Sequence, residues 1–262
     1  MASWIQSVKP IGDCVTSPAP GAILGKRLAA SGIRRLGILE LDHFPSGLYG
    51  DLAEALSGVE IVDGSASFAA ARAHGDETEL RLLAKADSIA RDALDDLALD
   101  ACTDVGHAVG AVERHARLHG AEEVYVAIAA DLDCDRRFVR LSGSRPLGRR
   151  FAIRATVAYK GNWVRHVKSF SHDITDTAIF ERADADFNHA FASSVSVGEI
   201  HFAGRHAHWL AEAAIGTRPL ALVASSENPF EAAGHGPGVV LTLALTLDGV
   251  PWCGAGLARI PQ

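Results

Sequence analysis

RPLGRRFAIRATVAYKGNWVRHVKSF, residues 145–170, is the stretch from which the fold is read. Phe151, Ile153, Val157 and Tyr159, then Trp163 and Val167, alternate with polar or small residues, the period of strands packed on a core. Two strands, 150–159 and 163–170, flank Lys160-Gly161-Asn162. A two-residue turn at Lys160-Gly161 or Gly161-Asn162 would set Arg165 opposite Thr156 or Ala158, both on the face that carries Arg154. A three-residue turn would put the two arginines on opposite faces. His166, next to Arg165 on its strand, faces the other way.

Charge sets this stretch apart from the rest of the chain. Between Arg136 and Lys168 lie ten Lys or Arg residues and no Asp or Glu; the remaining 15 cations face 32 carboxylates, a balance of −17 around a segment of +10. The net charge of −7 argues against general affinity for nucleic acid. With 262 residues, 48% apolar and 22% charged, the composition is that of an ordinary globular protein of one large or two small domains. No apolar run reaches the roughly 18 residues that span a bilayer, so no membrane segment is expected. The opening MASWIQSVKPIGDC lacks the basic-then-apolar pattern of a secretory signal. Cys14, Cys102, Cys134 and Cys253 are scattered, which fits free thiols in a reducing cytoplasm and no structural zinc.

Upstream, residues 33–40 and 59–62 read as strands and 46–57 as the helix between them, a βαβ-like unit without G-x-G-x-x-G. Asp76 and Glu79 cap a helix from about Thr78 to Leu97, and a second runs from about Thr103 to Leu118 and stops at Gly120. Strands are expected at 123–129 and 137–141. The last third reads as helices 176–195 and 197–214, the second opened by Ser196 and Glu199, with strands at 219–224, 239–246 and about 251–259. Helices and strands in blocks make an α+β protein.

Four phrases in this order, GAEEVYVAIA (120–129), residues 145–170, SENP (226–229) and PGVVLTLAL (237–245), resemble phrases of the creatinase/aminopeptidase P family. The family's central phrase resembles D-x-S-V-x-Y-x-G-Y-x-x-D-x-T-R-T-F; Val157, Tyr159, Gly161 and Phe170 match it, and Thr156, Lys168 and Ser169 are close substitutes. The resemblance implies an α+β pita-bread domain over 76–262, preceded by a truncated α/β segment over 1–75. It also implies a homodimer, since relatives with this fold often form dimers.

The resemblance carries a departure. The family's two metal-binding aspartates fall on Arg154 and Arg165, its metal-binding histidine on or near Pro219, and its two glutamates near Ala244 and near Gly254. Guanidiniums stay protonated and repel metal cations, so metallopeptidase chemistry is not expected, nor any metal or other cofactor. Creatinase itself works with a catalytic His, but no His lies between Gly120 and Arg165, so that mechanism does not carry over either. Acid/base candidates are His166, His172 and Glu227; His201, His206 and His208 are further histidines, the last two placed about 200° apart on the expected helix.

Two function classes stand. One is a metal-independent protein, a hydrolase or lyase if it is an enzyme, acting on or binding a small carboxylate-bearing amino-acid or guanidino-type molecule. Arg154 and Arg165 would form the anion fork, with Thr156, Tyr159 and Trp163 as hydrogen-bonding and aromatic walls. An internal salt bridge filling the same place is the competing reading of the arginines. The other class is a catalytically inactive pita-bread domain that takes up an acidic peptide. Nucleic-acid binding through Arg136, Arg137, Arg140, Arg145, Arg149 and Arg150 is disfavoured by the acidic remainder.

Overall fold

Pro20 opens the first helix, α1 (Pro20–Ala30), where its missing N–H costs nothing. The computed structural model describes residues 16–72, 75–193, 205–226 and 238–258, and the chain divides into two compact units, Met1–Ala70 and Ala71–Gln262. In the first unit, β1 (Arg35–Ile38), α2 (Ser46–Ala55) and β2 (Glu60–Asp63) make the expected βαβ arrangement, with β1 and β2 parallel. α1 and α3 (Ser65–Arg72) are additional to the sequence reading.

The second unit begins with α4 (Glu77–Asp95), whose first turn is capped as expected: the Glu79 amide donates to Asp76 Oδ1 at 2.8 Å. α5 (Val105–Leu118) is capped by Asp104 and ends before Gly120, which takes φ +100°. The sheet contains β3 (Glu123–Ala129), β4 (Arg150–Tyr159), β5 (Asn162–Ser171), β6 (Arg205–Ala213), β7 (Ala221–Ser225), β8 (Val239–Leu247) and β9 (Val250–Leu257). All seven strands are antiparallel to their neighbours, in the order β3-β4-β5-β9-β8-β6-β7. α6 (Ile174–Ser193) joins β5 to the second half of the chain. Among the described residues no helix is long and apolar enough to cross a membrane.

Two expectations fail. Residues 137–141 make only an isolated bridge, Val139 to Ile128, instead of a strand. The helix expected over 197–214 is, where described, the strand β6. Leu210, Ala211 and Glu212 are good helix formers, but β6 lies hydrogen-bonded between β7 and β8, and that pairing overrides local preference. His206 and His208 therefore lie on a strand.

One face of the sheet packs on the helices. Phe151, Ile153 and Val157 meet Ile89, Ala90 and Ala93 of α4 and Val112 of α5, while Leu241, Leu243 and Trp252 meet Phe180 and Phe187 of α6. Two β9 glycines make room on that face. A Cβ at Gly254 would overlap the Trp252 indole, and one at Gly256 would press on the His166 ring at 3.0 Å. Gly254→Ala should therefore cost about 2 kcal/mol through overpacking. A thermal melt should show Tm falling by about 4–8 °C; an unchanged Tm would mean that Trp252 has room to move.

Candidate functional site

The β4–β5 turn places the two arginines. Lys160 and Gly161 take φ +51° and +77°, as a two-residue type I′ turn requires. The register follows: Tyr159 pairs with Asn162, and Thr156 with Arg165. Arg154, two residues along β4, shares the face of Thr156 and so of Arg165.

This is the face away from the helices, and an acid from β6 reaches it. Arg165 Nη1 donates to Glu212 Oε2, and Arg165 Nε to Thr156 Oγ1 at 3.4 Å. The Arg165 and Glu212 side chains are 19% and 10% exposed. β9 and β8 lie between β5 and β6, roughly 14 Å at about 4.8 Å per strand spacing, so the pair ties together strands that are not neighbours. Burial pushes the Glu212 carboxyl above its usual range, against the pull of Arg165 and Arg154.

Arg154 is the other half of the cluster. Its guanidinium lies 5.3 Å from the Phe138 ring centroid, and among the described residues no carboxylate lies within ion-pair distance of it. Burial, then the Arg165 charge, lowers its pKa, with Glu212 acting in the opposite sense. Two guanidiniums and one carboxylate thus share a partly dry surface. The internal salt bridge forms at Arg165 and leaves one positive charge over.

The remaining sequence candidates distribute themselves around this cluster. Trp163 shares the face of Arg165 and stacks on Tyr125 of β3, centroids 5.5 Å apart, with the Arg140 guanidinium 4.4 Å above the Tyr125 ring. Tyr159 points to the helix side and packs in the core. His166 also faces the helices, where Nε2 lies 2.6 Å from Asp87 Oδ1 on α4. Burial would raise the Asp87 carboxyl, but the His166 hydrogen bond and charge, the Arg91 charge and the Leu257 amide together hold it below its usual range. That pair fastens α4 to the sheet. His172 is exposed just past the far end of β5, roughly 23 Å along the chain from Arg165 at about 3.3 Å per residue. Glu227 lies outside the described residues, as do His201 and the Ser196/Glu199 pair.

Sequence reasoning missed Glu212, because a helix over 197–214 gives it no fixed relation to β5. The available signal was the two-residue alternation His208, Leu210, Glu212 against Trp209, Ala211, Ala213.

Among the described residues, the arginine face offers little that suits a dinuclear metal centre. Ala244 and Cys253, paired across β8 and β9 on the arginine face, offer a methyl group and a thiol that burial pushes up to about 11. Gly254 faces the other way, against Trp252. Among the described residues no three His, Cys, Asp or Glu side chains gather as metal ligands do.

The architecture is shared with proline-directed peptidases. X-Pro aminopeptidase from Thermotoga maritima superposes with TM-score 0.63 at 13% identity, over 94% of this chain and 79% of that one. Xaa-Pro dipeptidase from Bacillus anthracis gives 0.60 at 14% identity, over 94% and 78%. A variant of Escherichia coli aminopeptidase P gives 0.61 at 13% identity, over 88% and 67%. No family model and no curated relative matches the sequence. The chain has the α+β pita-bread fold of the creatinase/aminopeptidase P proteins. At these identities the likeness is one of fold.

Proposed function

We propose that this protein holds a small carboxylate-bearing molecule, of the amino-acid or guanidino-acid kind, on the arginine face of its sheet, without a dinuclear metal centre. The observation that carries the reading is Arg154: a partly buried guanidinium with no described carboxylate in reach, beside an Arg165 already neutralised by Glu212. A bound carboxylate supplies the missing charge, and the dry surroundings strengthen its attraction. In this reading any chemistry is metal-independent hydrolysis or elimination, with Glu212, whose carboxyl burial raises, as the proton-carrying group at the cluster.

A thermal-shift series with small amino and guanidino acids tests this. At ten times Kd, binding adds about 1.4 kcal/mol, a Tm rise of about 3–5 °C. Arg154→Met should abolish that response and leave the unliganded Tm equal or higher, because it removes a half-buried charge. A response retained in Arg154→Met would sink the reading. Stoichiometric manganese, cobalt or zinc in protein purified without chelator would do the same for the metal-free part.

A second reading, an inactive domain receiving an acidic peptide, draws on the rim. Tyr125 is 41% exposed, stacked on Trp163 and covered by Arg140, a residue combination favoured at protein interfaces. It predicts saturable binding of an acidic peptide that Tyr125→Ala weakens, with no Tm response to any small acid.

A further inference from the structure

A cavity of about 330 Å³ lies on the same face as Arg154, between β6, β8 and Phe138. Its position follows from strand pairing. Val167, the cross-strand partner of Arg154, packs in one cluster with Ala255, Cys253, Ala244 and Phe138. Ala244, Cys253 and Phe138 also line the cavity, joined by Leu210 and Thr242. Phe138 touches both places, since its ring sits beside the Arg154 guanidinium and forms part of the cavity wall. The Cys253 thiol stays neutral through burial, so it behaves as a small apolar wall.

The chemistry of the lining is lopsided. Aliphatic and aromatic carbon dominates the interior, and no Asp or Glu is among the described lining residues. Arg136, a lining residue, is held by a 3.2 Å hydrogen bond to Thr246 Oγ1, and the Arg154 guanidinium lies 5.3 Å from the centroid of the Phe138 ring. Polar groups are few and placed apart: Thr242 Oγ1 is buried with no partner among the described residues, and His208, Ser225 and Ser226 also border the space. It suits carbon attached to an anion. Its volume falls within the range of small-molecule sites.

The geometry points to an organic acid with a compact apolar tail as the occupant of this face: the carboxylate on Arg154 and the tail in the cavity beyond Phe138. This rests on the carboxylate reading above and adds the class of tail.

Isothermal titration of the full chain with acetate, hexanoate and 3-phenylpropionate tests it, with 3-phenylpropanol as the uncharged control. Affinity should rise about fourfold for each methylene buried. Ala244→Leu and, from the facing strand, Leu210→Phe should each fill the cavity, removing the gain for the two longer acids while leaving acetate binding in place. Having two variants on different strands guards against misfolding of either. If all three acids bind equally, or the gain survives in both filled variants, the tail assignment is wrong although the carboxylate reading stands. If no acid binds, or 3-phenylpropanol binds as tightly as the acid, the carboxylate reading fails and the tail assignment falls with it.

Discussion

Glu212→Gln should destabilise the protein by about 3 kcal/mol and at the same time tighten its grip on carboxylates. The first effect comes from leaving Arg165 and Arg154 together with no described counter-charge, in a place where the Arg165 side chain is only 19% exposed. Breaking one partner of a buried pair costs about 3–5 kcal/mol, and the glutamine amide oxygen still accepts one bond from Arg165, which favours the low end. For a unit of this size Tm should fall by roughly 6–12 °C. The second effect has the opposite sign because Glu212 is the internal competitor for the anion. Removing it takes the cluster from one uncompensated positive charge to two, and carboxylate affinity should rise about tenfold.

The pairing of these signs is what makes the experiment decisive. A residue that merely supports the sheet would lose stability and affinity together. If Glu212→Gln weakens carboxylate binding, Glu212 organises the ligand and is not its rival. A double variant, Arg165→Met with Glu212→Leu, separates the charge term from the packing term. Apolar replacement of both partners should restore most of the lost stability, since buried ion pairs rarely exceed well-packed carbon in net worth.

The same logic accounts for the charge imbalance of residues 136–168. Arg137, Arg149, Arg150, Lys160, Arg165 and Lys168 each meet a carboxylate from outside the segment, from Asp135, Asp176, Asp133, Glu122, Glu212 and Asp95 among others. Most of the basic run therefore neutralises the acidic remainder internally; of the other four cations, Arg136, Arg140 and Arg145 are exposed and Arg154 is partly buried, which directs the question of a buried anion to Arg154. The strands β4 and β5 were legible because alternation and a Lys-Gly turn are local signals, and a two-residue turn fixes register without further information, whereas the strand expected at 137–141 did not form. The partners were not legible. Glu212 reaches Arg165 only through the order β5-β9-β8-β6, which no local pattern encodes. β6 itself was misread because its side chains favour helix locally while its hydrogen bonds come from β7 and β8, distant in sequence. The roles of Gly254 and Gly256 likewise depend on what lies above them, the Trp252 indole and the His166 ring.

Asp184→Asn should stabilise the protein at pH 8 by about 2–3 kcal/mol and do nothing at pH 4 or below. Asp184 sits on α6 beside a cavity of about 340 Å³ between α4 and α6, where its Oδ1 accepts a 2.9 Å hydrogen bond from Trp252 Nε1. Burial pushes its pKa from 3.8 up to about 6; Trp252 and Lys168 pull it down, and Asp95 and Glu181 push it up. A carboxyl whose folded pKa lies above its unfolded one binds more protons when folded. Its contribution is therefore complete below about pH 3.8 and is lost as pH rises through about 6. A shift of about two units corresponds to roughly 3 kcal/mol. Asparagine keeps an acceptor for the Trp252 N–H and removes the charge. The difference in Tm between the variant and the parent should open between pH 4 and 7 and level off near 5–10 °C. Trp252→Phe provides the cross-check, because it deletes the hydrogen bond that favours the ionised form. It should move the midpoint of the Asp184 step above 6 by carboxyl-resolved NMR titration, whatever it does to overall stability. A Tm difference for Asp184→Asn that is the same at every pH would show that the effect comes from shape rather than from the buried charge.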